Sequence, residues 1–255
     1  MDYLPFITDP VAEAACRARL AEYLTRVGQH PVERNVDELC SLESGVCDRF
    51  NYAAPRMPEA ARARLLVSGC AAGSEMILAR TYGFREIVGT EVVPEYVGIA
   101  RERLRGARGF HALLYDGRNL PFAADTFTAV MSGHIIEHTS SPYRYLEEHM
   151  RVLAPGGLLF LEFPDRYHLV ELHTGLPSVE YLPSPPRSLA LRYLACRFSP
   201  FSPSQRQLYH VIRTTLQPVS VFQVKRYLAQ LPDRNCRVVH HYAPAPGYRR
   251  MLITK

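Results

Sequence analysis

Two carboxylates and a glycine turn give this sequence its first chemistry. The segment VSGCAAGSE sets Gly69 and Gly73 around Ala71, between an apolar run and a helical one. Such a turn brings backbone N–H groups close to a ligand, and the helix start that follows adds positive potential. Glu91 stands 22 residues beyond Gly69, directly after a second apolar run, where a carboxylate can accept both hydroxyl protons of a ribose. Asp116 holds the equivalent place after a third run, in reach of an adenine amine. The dinucleotide fingerprint GxGxxG would require glycine at 71 and 74, where Ala71 and Ser74 stand, so a nicotinamide or flavin cofactor is disfavoured. A mononucleoside without a pyrophosphate suits the two acids and the reduced turn together.

These residues need elements to present them at one edge. The hundred residues after Arg62 alternate strand and helix signals at the period of βαβ units. RLLVSG (64–69), REIVGTE (85–91), FHALLYD (110–116), FTAVMSG (127–133) and LLFLEF (158–163) read as strands, the last entered through a turn at PGG (155–157). SEMILARTYG (74–83), PEYVGIARERLRG (94–106) and SPYRYLEEHMRVL (141–153) read as helices. Strands this continuously apolar belong to a sheet covered on both faces. The expected fold is α/β, a doubly wound parallel sheet with ligands at the carboxyl ends of its strands. Upstream, PVAEAACRARLAEYLTRVG is a helix starting near Pro10, followed by irregular chain with loops around Asp48 to Pro58. Residues 164 to about 218 break the pattern with many prolines around the helical RSLALRYLACRF. VFQVKRYLAQL (221–231) then reads as a helix, and CRVVHHYA (236–243) and YRRMLITK (248–255) as a strand pair closing an edge of the same sheet.

The chain has 255 residues, 47% hydrophobic and 22% charged, an ordinary globular composition for one elaborated domain or two small ones. No run of 18 apolar residues occurs, and MDYLPFITDP lacks the basic start and apolar stretch of a leader, which points to a cytoplasmic protein without a membrane span. Six cysteines lie far apart with no CxxC pair, the pattern of reduced thiols rather than of zinc or disulfides. Charge is segregated. From Arg187 onward twelve Lys or Arg face the single acid Asp233, a +11 tail on a body of −6. All of the 30 bases except Lys225 and Lys255 are arginine, whose planar fork suits phosphate and carboxylate. The asymmetry points to an anionic substrate, an anionic membrane surface, nucleic acid, or a basic face packed on the acidic body.

RLLVSGCAAGSE, VGTEVVPEYVGIARERL, YDGRNLPFAADTFTAVMSGHIIEH and RYLEEHMRVLAPGGLLFLEFP, in this order, resemble the successive motifs of the class I S-adenosylmethionine-dependent methyltransferases, in particular their broad small-molecule branch. The resemblance covers roughly residues 63 to 164. It implies a Rossmann-like, seven-stranded, mostly parallel sheet with an antiparallel last strand over residues 63–255, behind an N-terminal helical cap at 1–62 and with 165–218 as a lid or substrate-binding insertion. The C-terminal strand pair matches the family's strands six and seven, so the domain is expected to be complete. The implied cofactor is S-adenosyl-L-methionine. By position, Gly69 and Gly73 shape the turn at its methionine part, with Ser68, Cys70 and Ala71 beside them. Glu91, next to Val92, binds the ribose hydroxyls; Asp116 and Gly117 face the adenine; Gly133 and His134 line the cofactor after the fourth strand. Two positions depart from the family. The acid that usually ends the first strand and meets the methionine amino group falls on Val67, and the middle glycine of the turn on Ala71. One lost carboxylate at a charged group costs about 1.5–3 kcal/mol of binding, which makes a non-catalytic partner protein of this fold a rival reading.

Methyl transfer to a hydroxyl is helped by a base, and His134, Glu137 and His138 follow the fourth strand. His138 is the first choice for that base and His134 the second, with Glu137 a pocket or helix-start partner. After the fifth strand, RYHLVELHTGLP offers Tyr167, His168 and His173 as substrate-lining groups, with Tyr181 as a further aromatic wall. His168, Glu171 and His173 are not spaced to put three metal ligands on one helical face, so no metal is expected. Arg187, Arg192, Arg197, Arg206 and Arg213 fall in the lid. On a helix the first three point about 140° apart, which gives no single basic face for membrane docking. The leading expectation is O-methylation of a small-molecule or glycan acceptor, an anionic one on the reading of the lid. An RNA or tRNA methyltransferase comes second, disfavoured because no RNA-binding module or dense basic run with interleaved aromatics occurs.

Overall fold

The computed structural model describes residues 9–42, 45–168, 217–232 and 235–255. Helices α1 (Pro10–Arg26), α2 (Val32–Cys40) and α3 (Gly45–Ala53) precede the sheet. Asp9 caps α1 by accepting the N–H of Val11, and Pro10 opens it where a missing N–H costs nothing. The stretch expected as loops from Asp48 to Pro58 is instead helical through Ala53, with single 3-10 turns at Ala54–Arg56 and Glu59–Arg62. Its polar composition misleads because Arg49 faces inward, onto the carboxylates of Glu75 and Glu162.

Seven strands follow: β1 (Arg64–Ser68), β2 (Glu86–Glu91), β3 (Phe110–Leu114), β4 (Phe127–Gly133), β5 (Leu153–Pro164), β6 (Arg237–Tyr242) and β7 (Tyr248–Thr254). Between them lie α4 (Ser74–Thr81), α5 (Pro94–Arg103), α6 (Pro142–Val152) and α7 (Val221–Gln230). The sheet order is β3-β2-β1-β4-β5-β7-β6. β1 to β5 run parallel, and β7 is antiparallel to both β5 and β6. The PGG segment, expected as a turn ahead of the fifth strand, lies inside β5. Gly156 takes φ +75 there and its N–H reaches the carbonyl of Lys255 at 2.9 Å, so pairing continues through the irregularity.

Alternate residues of each strand enter opposite cores. Leu65 and Val67 of β1 join Ile87, Met131 and Phe160 against Phe50 of α3 and Met76 of α4. Leu66, Val130, Leu159 and Ile253 pack on the other face against Leu146 and Met150 of α6 and Val224 of α7. Cys16, Cys40, Cys47, Cys70 and Cys236 are free thiols. Among the described residues no helix is long and apolar enough to cross a membrane.

One buried polar chain crosses the second core. Ser132 Oγ and Tyr145 Oη lie 2.8 Å apart, Tyr145 donates to Ser68 Oγ at 2.8 Å, and Ser68 Oγ lies 3.0 Å from His149 Nε2. His149 Nδ1 sits 2.6 Å from the carbonyl of Tyr145, so the chain closes with every donor matched when the ring is neutral and Nδ1 carries the proton. Burial pushes the pKa of His149 down to about 4. The unfolded ring takes its proton near its ordinary value of 6.5, so this contribution to stability is present above that pH and is lost as pH falls. Its loss amounts to about 3 kcal/mol between pH 6.5 and 4. Urea unfolding at stepped pH is expected to show this acid limb in the parent and a flatter one in His149→Gln; equal slopes would contradict the assignment.

Candidate active site

The order of the sheet reverses between β1 and β4, and a ligand crevice is expected at the carboxyl ends of those strands. The turn after β1 uses left-handed backbone at Gly69 (φ +71) and Gly73 (φ +86). Its amides are spent within the protein. The N–H groups of Gly69 and Cys70 both donate to the carbonyl of Thr90, at 2.9 and 3.0 Å, and that of Ala71 donates to Glu91 Oε2 at 3.1 Å. Few remain to cradle a pyrophosphate, which matches the absent dinucleotide fingerprint. Ser68 and Cys70 border the turn with their backbone only. The Ser68 hydroxyl is committed to Tyr145 and His149. The Cys70 thiol is 3% exposed, packs beneath the turn against Gly89, and is pushed up in pKa by burial.

Ala71 holds φ +42, a conformation that costs an L-residue about 1–2 kcal/mol. Glycine would relieve that strain while adding roughly 0.5–1 kcal/mol of freedom to the unfolded chain. Ala71→Gly is therefore expected to gain up to about 1 kcal/mol, seen as a rise of about 2–4 °C in Tm. A fall in Tm would show that the methyl group packs usefully.

Glu91 ends β2 and is 8% exposed. Its Oε1 accepts the N–H of Val92 at 2.7 Å and of Val93 at 3.2 Å, and its Oε2 takes Ala71. A second lone pair of Oε2 remains for a hydroxyl donor. Val92 and Leu114, 51% and 48% exposed, make an apolar lip beside it, Leu114 lying opposite Glu91 in the β2–β3 register. Gly117 keeps that lip open, since a Cβ there would come within 3.3 Å of Val92. Asp116 is exposed; its Oδ1 accepts the N–H groups of Asn119 and Arg118 at 2.8 Å each, and these bonds lower its pKa.

At the end of β4, Gly133 is small because of Arg49. A Cβ at Gly133 would stand 2.6 Å from Arg49 Nη1 and 2.7 Å from its Cζ. His134 adopts φ +57, with Nε2 2.8 Å from Glu162 Oε1 and Nδ1 3.7 Å from Glu137 Oε1. Burial opposes its charge, but the Glu137 and Glu162 carboxylates outweigh burial and raise its pKa. Both ring nitrogens of His134 thus face carboxylates, Nε2 that of Glu162 and Nδ1 that of Glu137. Glu137 has a fully buried carboxylate with no hydrogen-bond partner on either oxygen, 4.0 Å from His138 Nε2. The His138 side chain is 44% exposed.

Several residues of the site were not singled out from the sequence. Arg49 donates Nε to Glu162 at 3.0 Å and Nη1 to Glu75 in the first turn of α4. Arg250 of β7 donates to the other oxygen of Glu162 and pairs with Asp48 at 3.2 Å. In spite of its burial, His134, Arg49 and Arg250 together hold the pKa of Glu162 at about 2. A legible signal existed: Glu162 interrupts an otherwise apolar strand run, LLFLEF. Arg103, 2% exposed, joins the N-terminal helices to the turn. It pairs with Glu13 of α1 and donates to the carbonyls of Cys40 and Ala72 and to Ser74 Oγ.

Beyond β5, the N–H groups of Tyr167 and His168 bond to Asp165, and Tyr167 is 54% exposed. Asp165 pairs with Arg249 at 2.7 Å. Thus Arg249 and Arg250, with Lys255 on Asp125 at 2.6 Å, spend part of the basic tail on acids of the body. His173, Tyr181, Glu171 and the five lid arginines lie outside the described residues. Among the described residues no group of three His, Cys, Asp or Glu could hold a metal ion.

The methyltransferase-domain family model matches residues 66–161. That segment spans the glycine turn, Glu91, Asp116 and the Gly133–His138 region. Residues 66–161 are a methyltransferase domain. The chain is 40% identical over 48 residues to an uncharacterized methyltransferase of Mycolicibacterium vanbaalenii, and 31% identical over 81 residues to a ubiquinone/menaquinone biosynthesis C-methyltransferase of Desulfotalea psychrophila. These alignments cover 19% and 32% of this chain and the same shares of the relatives, so the chain spans under a third of either. In fold it resembles an S-adenosylmethionine-dependent methyltransferase of Mesorhizobium loti, with TM-score 0.60, 13% identity, and 82% of this chain and 100% of the other covered. A second such enzyme, from Aquifex aeolicus, gives TM-score 0.54 and 16% identity over 81% and 88%.

The crevice of this methyltransferase domain fits S-adenosylmethionine on its own geometry. Glu91 keeps an acceptor for the ribose, Val92 and Leu114 offer an apolar surface to the purine, and the turn provides no phosphate nest. The position of the usual first-strand acid is filled by Val67, fully buried in the core.

Proposed function

We propose that the chain methylates a hydroxyl of a small-molecule or glycan acceptor, using S-adenosylmethionine held by Glu91, Val92, Asp116 and the turn. The observation that carries the reading is the Glu91 carboxylate, locked by three backbone amides at the carboxyl end of β2 with one acceptor site left open. When bound, the cofactor supplies an electrophilic methyl group on a sulfonium. His138 takes the acceptor proton, and the Glu137 carboxylate 4.0 Å away favours the imidazolium that forms. His134 keeps Glu162 in place instead. Residues 165–218 serve as the acceptor lid, with Tyr167, His168 and His173 lining it and five arginines favouring an anionic acceptor. Residues 1–62 act as the cap, and the cytoplasm is the assigned location.

Calorimetry with S-adenosylmethionine and S-adenosylhomocysteine tests cofactor binding. Micromolar binding of both is expected, and failure of both at millimolar concentration would sink the enzyme reading. Assay of labelled methyl transfer to phosphorylated and carboxylated acceptors then tests the acceptor class. His138→Gln is expected to lower kcat by about 10²-fold or more at unchanged cofactor affinity. Methylation of carbon is the second reading, favoured by the 81-residue similarity to the C-methyltransferase; NMR of the product separates the two.

A further inference from the structure

We infer that Arg49 and Glu75 clamp the amino-acid end of S-adenosylmethionine, Arg49 taking its carboxylate and Glu75 its ammonium, so that an ion pair completed by helix α3 replaces the carboxylate missing at Val67. The inference rests on the cofactor reading above and assigns the residues that reading leaves open.

The pair lies where the crevice needs it. Arg49 packs against Gly133 at the carboxyl end of β4, and Glu75 stands in the first turn of the helix that follows the glycine turn. Ser68 and Ser132 are register partners on β1 and β4, so Gly133 and the turn leave the sheet side by side. Glu91 accepts the N–H of Ala71 in the same turn that leads into the helix carrying Glu75, which links the ribose acid and the clamp through one short segment.

Hydrogen-bond capacity decides which groups are available. Glu162 is engaged on both oxygens, Oε1 by Arg49 and His134 and Oε2 by Arg250. Glu75 accepts from Arg49 through Oε1 alone, and Arg49 Nη2 has no hydrogen-bond partner among the described residues. Arg49 and Glu75 side chains keep 15% and 11% exposure, so they are desolvated enough for charge to matter yet open to a ligand. An amino-acid zwitterion adds no net charge. Inserted beside the Arg49–Glu75 pair it forms a closed quartet of alternating charges, which is favourable where single buried charges are costly. A ligand without the zwitterion leaves the pair closed on itself.

Calorimetry of the full chain with three probes tests the clamp: S-adenosylhomocysteine, its decarboxylated analogue, and 5′-methylthioadenosine, which lacks the whole amino-acid end. The parent is expected to bind S-adenosylhomocysteine about 10- to 100-fold more tightly than the decarboxylated analogue. Arg49→Met should remove that preference and leave methylthioadenosine affinity unchanged, and Glu75→Gln should weaken S-adenosylhomocysteine but not methylthioadenosine. Equal affinity of the parent for S-adenosylhomocysteine and the decarboxylated analogue overturns the clamp while leaving the cofactor reading intact, and does so even if Arg49→Met fails to fold. Absence of binding by all three probes overturns the cofactor reading itself.

Discussion

Glu91→Ala is expected to weaken S-adenosylmethionine binding by about 10²-fold or more while the chain stays folded. The open lone pair of Oε2 would accept one ribose hydroxyl in a charge-assisted hydrogen bond worth about 1.5–3 kcal/mol, and 3 kcal/mol corresponds to roughly 150-fold. It also pins Val92, Val93 and Ala71 through their N–H groups, so its removal loosens the turn and the apolar lip at once. Glu91→Gln is expected to fall nearly as far, because its amide nitrogen would face an N–H donor on one side. Calorimetry reads the affinity, and a thermal melt confirms the fold. A Glu91→Ala protein that binds the cofactor normally would place the ribose elsewhere.

Arg103→Met is expected to cost about 3–5 kcal/mol of stability, the usual penalty for breaking a buried ion pair from one side. The guanidinium is 1% exposed against 27% for Glu13, so water can rescue the carboxylate but not the interior partners. Those partners are the carbonyls of Cys40 and Ala72 and the hydroxyl of Ser74, on α2, the glycine turn and α4. Urea unfolding should therefore show a lower midpoint, and cofactor affinity should drop although Arg103 touches no ligand. Loss of stability below about 1 kcal/mol would mean that the N-terminal helices are fastened elsewhere.

Elements were legible wherever local chemistry and tertiary role agree. β1, β2 and β4 run between buried layers, and short apolar runs with a glycine in or beside them announce them. Glu91 and Asp116 were legible because a strand end is a local event. Helix α3 was missed because its polar residues, Asp48 and Arg49, owe their identity to Arg250, Glu75 and Glu162, far along the chain. The start of β5 was misplaced for a related reason: PGG favours a turn locally, and Gly156 does take left-handed backbone, yet its N–H bonds the carbonyl of Lys255 and the strand runs on through it.

By itself, then, the sequence determined the alternation of strand and helix, the glycine turn and the acids that follow β2 and β3, because each depends on residues a few positions apart. Only the tertiary structure decided how the charges are used. His134 became a partner of Glu162, Ser68 a link in a buried chain, and Arg49 the neighbour that fills the space beside Gly133. Ion pairing in a desolvated crevice depends on distance and burial, and the groups involved come together only when the sheet brings residues 49, 75, 162 and 250 to one edge.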